Sequence, residues 1–372
     1  MVNKDRLVEA FLELVQIDSE SGNEAEIAAV LKGKFEALGL EVTEDDTKEK
    51  TGLGSGNLIA RLKGTTRSAA PILFSCHFDT VTPGNGIKPV INGDIIETDK
   101  TTILGADDKA GIAALLEGIR LLKEGNVPHG DVEFVLTAGE EVGLLGASAL
   151  DMKTLSAKYG FALDSGGSVG EIIVASPDHG KIKAKIHGVA AHAGVAPEDG
   201  VSAIEVAAKA ITHMPLGRLD EELTANIGII NGGERTNIVC DLVEITGEAR
   251  AITFSKLENQ MKVMSEALEN AAAERGCKVD IEVSYERVGY HLEETDPVIE
   301  VAKTAITKVG REPNLQATGG GSDANIFTIG GIPTANLGVG YLDIHSKDEK
   351  MPISELVKLA ELVVALVKTV AK

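Results

Sequence analysis

The sequence predicts an α/β fold: a mostly parallel sheet with helices, into which a second, ferredoxin-like βαββαβ unit is inserted. Three observations point to it. Asn57 to Leu62, Ile72 to Cys76, Val132 to Thr137 and Phe161 to Leu163 are short apolar runs bounded by Gly, Asp or Pro, as buried strands are. Lys109 to Leu122, rich in Ala, Leu and Ile, reads as a helix between two of them, the strand–crossover–strand signature. From about Gly180 the periodicity changes style. The 372 residues also exceed the size at which one core usually stops growing, so two domains are expected.

In chain order, Leu7, Phe11, Leu14 and Val15 fall at helical spacing and predict an amphipathic helix over 3–17. A Ser21-Gly22-Asn23 break that can cap a second helix over 24–38 follows. The inserted unit reads as strand 181–188, helix 202–213, strand 224–231, strand 238–252, helix 256–275 and strand 278–287. Helix 297–308, a GGGSDAN segment, a short strand around 333–336 and helix 353–370 then resume the first style. The expected division is 1–179 with 293–372 as one domain and 180–292 as the other. GGGSDAN lacks the GK[ST] ending, and a preceding strand, that would support a phosphate loop.

Composition narrows the function. A net charge of −21 repels a phosphate backbone, and 3% aromatic content with no Trp leaves few stacking platforms, so no nucleic-acid partner is expected. No apolar run approaches the roughly 20 residues that span a bilayer, and the first helix carries charges throughout, unlike a signal peptide. Cys76, Cys240 and Cys277 are scattered, as reduced thiols of a cytoplasmic protein would be.

The chemistry lies at strand ends, where open α/β sheets bind ligands. His77 and Asp79 in SCHFDT point the same way in extended backbone, so Asp79 suits the ring N–H behind a ligating His77, although a lone His-x-Asp more often just caps a strand. Cys76 points to the opposite face. Asp107 and Asp108 in GADDKAG precede a helix, and capping explains only one of them. Glu140 and Glu141 in TAGEEVG would repel if buried together; with a dication, one ligates and its neighbour acts as general base. Asp164 ends FALD, and His345 lies near the C-terminus. Such carboxylates and imidazoles are what a two-metal hydrolase needs.

HFDT, GADDKAG, GEEVG, ALD and IHSKDE, in this order and spacing, resemble the dinuclear zinc exopeptidase family of peptidase T, carboxypeptidase G, aminoacylase and succinyl-diaminopimelate desuccinylase, the peptidase T branch above all. The resemblance spans nearly the whole chain. It implies that Asp107 bridges two divalent ions, most often zinc with cobalt and manganese as alternatives. His77 and Asp164 complete one ion, and Glu141 and His345 the other. Glu140 becomes the general base toward a water between the ions, and the Asp107–Asp108 peptide is cis. His192, alone a solvated loop histidine, becomes an oxyanion contact in the inserted lid. Asn237 and Arg250 match substrate contacts, Arg250 otherwise being a strand-surface charge, and Gly320, Gly321 and Ser322 match pocket-lining positions.

The same likeness implies an aminopeptidase acting on short peptides, tripeptides in particular, because Asp and not Glu stands at 164, and a homodimer through the lid. N-acyl amino acid hydrolysis and carboxypeptidase action use the same core. A non-catalytic assembly protein is the reading from a different class, and Glu140 argues against it.

Overall fold

The computed structural model describes residues 1–66, 68–286 and 288–371. Position 287, the last of the predicted 278–287 strand, lies outside them, as do 67 and 372. The chain divides into two units, Met1–Val174 with Leu292–Gln316 and Ser322–Lys372, and Ala175–His291 with Ala317–Gly321.

In the first unit four strands run parallel through the centre of a large sheet, in the spatial order Val132–Thr137, Ile72–His77, Tyr159–Ser165 and Thr334–Gly338. The flanks are antiparallel. Leu58–Leu62, predicted with the parallel set, pairs antiparallel with Val132–Thr137, with Glu41–Glu44 beyond it, and Glu171–Ser176 pairs antiparallel on the other side. The central strands are buried on both faces, which is why their sequences read as continuous apolar runs.

Phe74 stands opposite Phe134 and Phe161 in register, stacked on the first ring at 5.8 Å and tilted against the second at 5.7 Å between centroids. Truncating the middle ring leaves a cavity that rigid neighbours cannot fill. Phe74→Ala is expected to lower unfolding free energy by about 3–5 kcal/mol, read from the chemical-denaturation midpoint; a loss below about 1 kcal/mol would show that the strands repack around it.

Helix Ala106–Glu124 is buried along almost its whole length and packs against the helices Lys4–Val15 and Ile353–Val370. Asn3 caps the first helix through its side chain, which accepts from the Arg6 amide. The second helix, Ala25–Ala37, has no side-chain cap from the 21–23 break. Ser21 instead turns its hydroxyl to Asp79 at 2.6 Å, a stronger charge-assisted partner.

In the second unit the strands Leu223–Gly232, Leu242–Ala251, Asp178–His187 and Lys278–Glu286 form an antiparallel sheet in that spatial order. With helices Ala203–Thr212 and Phe254–Glu274 the order along the chain is βαββαβ. One face of the sheet buries Ile182, Ala184, Ile186, Val243 and Ile245 in a core with Val206, Leu257 and Met264. The predicted 238–252 strand starts only at Leu242.

This unit begins at Ala175, before the predicted 180, and takes in Ala317–Gly321. The reason is hydrogen bonding: Thr318 N donates to Ala175 O at 2.9 Å, Ser176 Oγ to Gly320 O at 2.7 Å and Arg250 Nη1 to Gly319 O at 3.1 Å. A short strand, Asn314–Ala317, does precede the glycine segment, and a helix, Asp323–Ile329, follows it. Both are too short for periodicity to reveal.

Candidate metal centre

The carboxyl ends of the four parallel strands supply the site. His77 is the last residue of its strand; Glu140 and Glu141 follow Val132–Thr137 after Gly139, whose φ of +62° makes the turn; Asp164 lies near the end of Tyr159–Ser165; and the segment after Thr334–Gly338 brings Tyr341 and His345. Asp107 enters from the start of the central helix. Its backbone and that of Asp108 are not helical, and the peptide bond between them is cis. Asp108 does the capping, its Oδ1 accepting from Gly111 N at 3.3 Å. Asp107 is thereby released to face the site.

The two oxygens of Asp107 face different neighbours. Oδ1 lies 3.0 Å from His77 Nε2, which is itself 3.8 Å from Asp164 Oδ1. Oδ2 lies 3.3 Å from His345 Nε2, which is 2.9 Å from Glu141 Oε1. Each oxygen thus meets one imidazole that also meets a second carboxylate. His77, Asp107 and Glu141 each offer a donor atom within 4.8 Å of the others. His345 holds a φ of +59°, in the left-handed region that few residues with a Cβ adopt.

Burial pushes the carboxyls of Asp164 and Glu140 well above the usual carboxylate range, and the charge of Asp107 adds to it for Asp164, that of Asp164 for Glu140. For Asp107 burial acts in the same direction, but hydrogen bonds from His345 and His77 outweigh it and hold the group well below that range. His345 is raised to about 10 by its bonds to Asp107 and Glu141. So many anionic donors confined with two imidazoles fit a pair of divalent cations. Oxygen and imidazole nitrogen are the donors such ions take, and their charge offsets the repulsion. His77, Asp107, Asp164, Glu141 and His345 could hold them.

Asp79 differs in detail from expectation. The His77 Nδ1 contact at 3.1 Å is the backbone oxygen of Asp79, with its carboxylate at 3.5 Å. The carboxylate mainly accepts from Glu140 N at 3.0 Å, Glu141 N at 3.3 Å and Ser21 Oγ. Backbone amides of a turn that approaches from a neighbouring strand compete for it. Asp79 therefore positions the glutamate turn as well as His77. Cys76 is buried with its thiol against the Asp108 carboxyl.

Within the second unit, His192 is exposed and pairs through backbone with the 237–239 segment: Ala193 N donates to Asn237 O at 3.1 Å and Val239 N to Ala191 O at 2.9 Å. Arg250 lies elsewhere. It sits at the far end of the Leu242–Ala251 strand, opposite His179, whereas Leu242 is opposite His187. At about 3.3 Å per residue the two ends are roughly 25 Å apart. The Arg250 fork is engaged by Glu248, at 3.0 and 3.4 Å, and by the Gly319 carbonyl. Gly320 and Gly321 belong to this unit and Ser322 to the first, where it is buried. There Ser322 caps the Asp323–Ile329 helix and accepts from Asn336 Nδ2 at 3.1 Å, so it has a structural role.

Sequence reasoning missed several groups. The Tyr341 phenol is buried between Asp107 Oδ1 and Asp164 Oδ1, at 3.4 and 3.3 Å. Asn336 brackets the Asp164 peptide, accepting from its N at 3.0 Å and donating to its O at 2.7 Å. In the sequence Ser21 is only a cap candidate. None sits in a metal-ligand spacing, so only the position of Tyr341 four residues before His345 offered a signal.

A family model for peptidase family M20/M25/M40 matches residues 73–369. The chain is 56% identical over 372 residues, the whole of both proteins, to YqjE of Bacillus subtilis (strain 168). A crystal structure of the aminopeptidase PepT from Bacillus cereus ATCC 10987 superposes with a TM-score of 0.96 at 57% identity, covering 100% of both chains. A tripeptidase structure from Staphylococcus aureus subsp. aureus Mu50 gives 0.96 at 44% identity, covering 100% of this chain and 99% of that one.

Proposed function

The chain belongs to peptidase family M20/M25/M40, and on that premise we propose that it is a two-metal aminopeptidase of the tripeptidase type, releasing the N-terminal residue of short peptides. The observation that carries the proposal is the geometry of Asp107, one carboxylate whose two oxygens each meet a separate imidazole–carboxylate pair. That is the arrangement a bridging ligand requires. His77 and Asp164 would hold one ion and Glu141 and His345 the other, zinc being the first candidate and cobalt or manganese the alternatives.

The ions, when bound, supply Lewis acidity toward the scissile carbonyl and lower the pKa of water. Glu140 moves the proton. It takes one from the attacking water as a carboxylate and returns it to the leaving amine nitrogen, and its place beside the ligand Glu141 suits it to both transfers. Asp79 keeps that glutamate turn in place through the two amides it accepts from.

His192 and Asn237 are offered as substrate contacts from one end of the lid sheet, Arg250 with Gly320 and Gly321 from the other. The roughly 25 Å between those ends exceeds the span of an extended tripeptide, about 10 Å. This supports a homodimer in which two copies share the substrate contacts. Among the described residues no helix is long and apolar enough to cross a membrane.

A panel of free tripeptides, N-blocked peptides and N-acyl amino acids, assayed with zinc, cobalt and manganese in turn, tests the reading. Turnover of the free tripeptides, with blocked substrates at least about 100-fold slower, is the expected result, since a lost polar contact to the amine leaves buried partners unpaired. Turnover confined to blocked substrates would replace the aminopeptidase reading with an acylase one.

A further inference from the structure

We infer that Glu349 is a positioning residue of the metal centre: its carboxylate clamps the loop that carries His345 onto the turn that carries Asp107, and so keeps the Glu141–His345 pair in reach of the bridge. The inference rests on the two-metal reading above. Glu349 is 1% exposed and uses both oxygens. Oε2 accepts from Leu104 N at 2.7 Å and Gly105 N at 2.9 Å, and Oε1 accepts from Asp107 N at 3.1 Å. Three amides of one tight turn, with Gly105 at a φ of +70°, thus converge on one side chain. An amide side chain cannot replace it, because one of its two ends donates and would face N–H groups.

The loop itself is closed. Leu342 N donates to Lys350 O at 2.9 Å and Lys350 N to Leu342 O at 3.0 Å, while inside it Ser346 Oγ donates to Asp343 O at 2.7 Å and Glu349 N to Ser346 O at 3.2 Å. His345 projects from this loop with its side chain 49% exposed, so packing does little to fix it. The attachment of the loop must do so. Glu349, four residues on, is its buried attachment, beside the exposed Lys100–Asp348 ion pair and the pairing of Met351–Pro352 with Ile95 and Ile96, and it lands on the backbone of the residue whose Oδ2 His345 faces.

The two ligand pairs consequently depend on Glu349 to different degrees. His77 ends a central strand hydrogen-bonded on both sides, and Asp164 is held by Asn336, so this pair stays in place without the clamp. The Glu141–His345 pair does not. A role confined to overall stability would not separate the two.

The test is a zinc titration of metal-free wild type, Glu349→Gln and Glu349→Asp in competition with a chromophoric chelator, with the melting temperature of each metal-free protein alongside. Wild type is expected to take two ions. In E349Q one ion binds with near wild-type affinity and the other about 10- to 100-fold more weakly, the usual scale for groups that orient metal ligands. E349D, which keeps the charge but draws both oxygens back, should show the same one-sided loss, and it carries the proposal if E349Q does not fold. Unchanged affinity at both sites, equal weakening of both, or failure of both variants to fold without metal would overturn it. A wild type that takes fewer than two ions would instead overturn the two-metal reading beneath it.

Discussion

Replacing Glu140 with Gln is expected to lower kcat on a free tripeptide by about two to four orders of magnitude while the protein still takes up two metal ions. The side chains have the same shape, and the amide can neither accept the proton of the attacking water nor return it to the leaving nitrogen. Glu140 stands next to Glu141, which faces His345, so the ligand set survives the change. The turn survives it too, because Asp79 holds it through the backbone amides of residues 140 and 141. The effect should therefore fall on kcat with metal content and melting temperature near wild type. Undiminished turnover in the variant would remove Glu140 from the mechanism.

Asp107→Ala is expected to abolish tight binding of both ions and to lower activity by at least about 10³-fold, the scale of several kcal/mol of lost charge stabilisation. A ligand belonging to one ion would cost only that ion when removed. Asp107 differs because Oδ1 faces His77 and Oδ2 faces His345. Binding of zinc to the folded state at 100 times its Kd should stabilise wild type by about 2.7 kcal/mol, and the variant should lose most of that gain. Metal analysis after equilibrium dialysis, with thermal unfolding in and out of zinc, reads both effects. Two ions retained by the variant would show that Asp107 is not the bridge.

Much of this was legible in the primary structure. The apolar runs that become Ile72–His77 and Val132–Thr137, the helix after GADDKAG and the βαββαβ order of the insert follow from local periodicity, which a chain carries wherever it folds. The donor types are legible as well: His77, Glu141 and Asp164 end or follow strands, Asp107 opens a helix, and their grouping as one ligand set with His345 is what the family resemblance implies. Ser322 shows where such reading stops. A serine after three glycines suits a ligand pocket or a helix cap equally well, and only the Asp323–Ile329 helix and the Asn336 bond show that it caps.

The sequence by itself determined which atoms were available for metal chemistry and on which elements they stand. Tertiary structure alone decided their partners. Asp79 holds amides 61 and 62 positions away, Tyr341 reaches Asp107 across 234 positions and Glu349 reaches it across 242. A buried carboxylate binds whichever donors the fold brings within about 3 Å, and spacing along the chain carries no record of that.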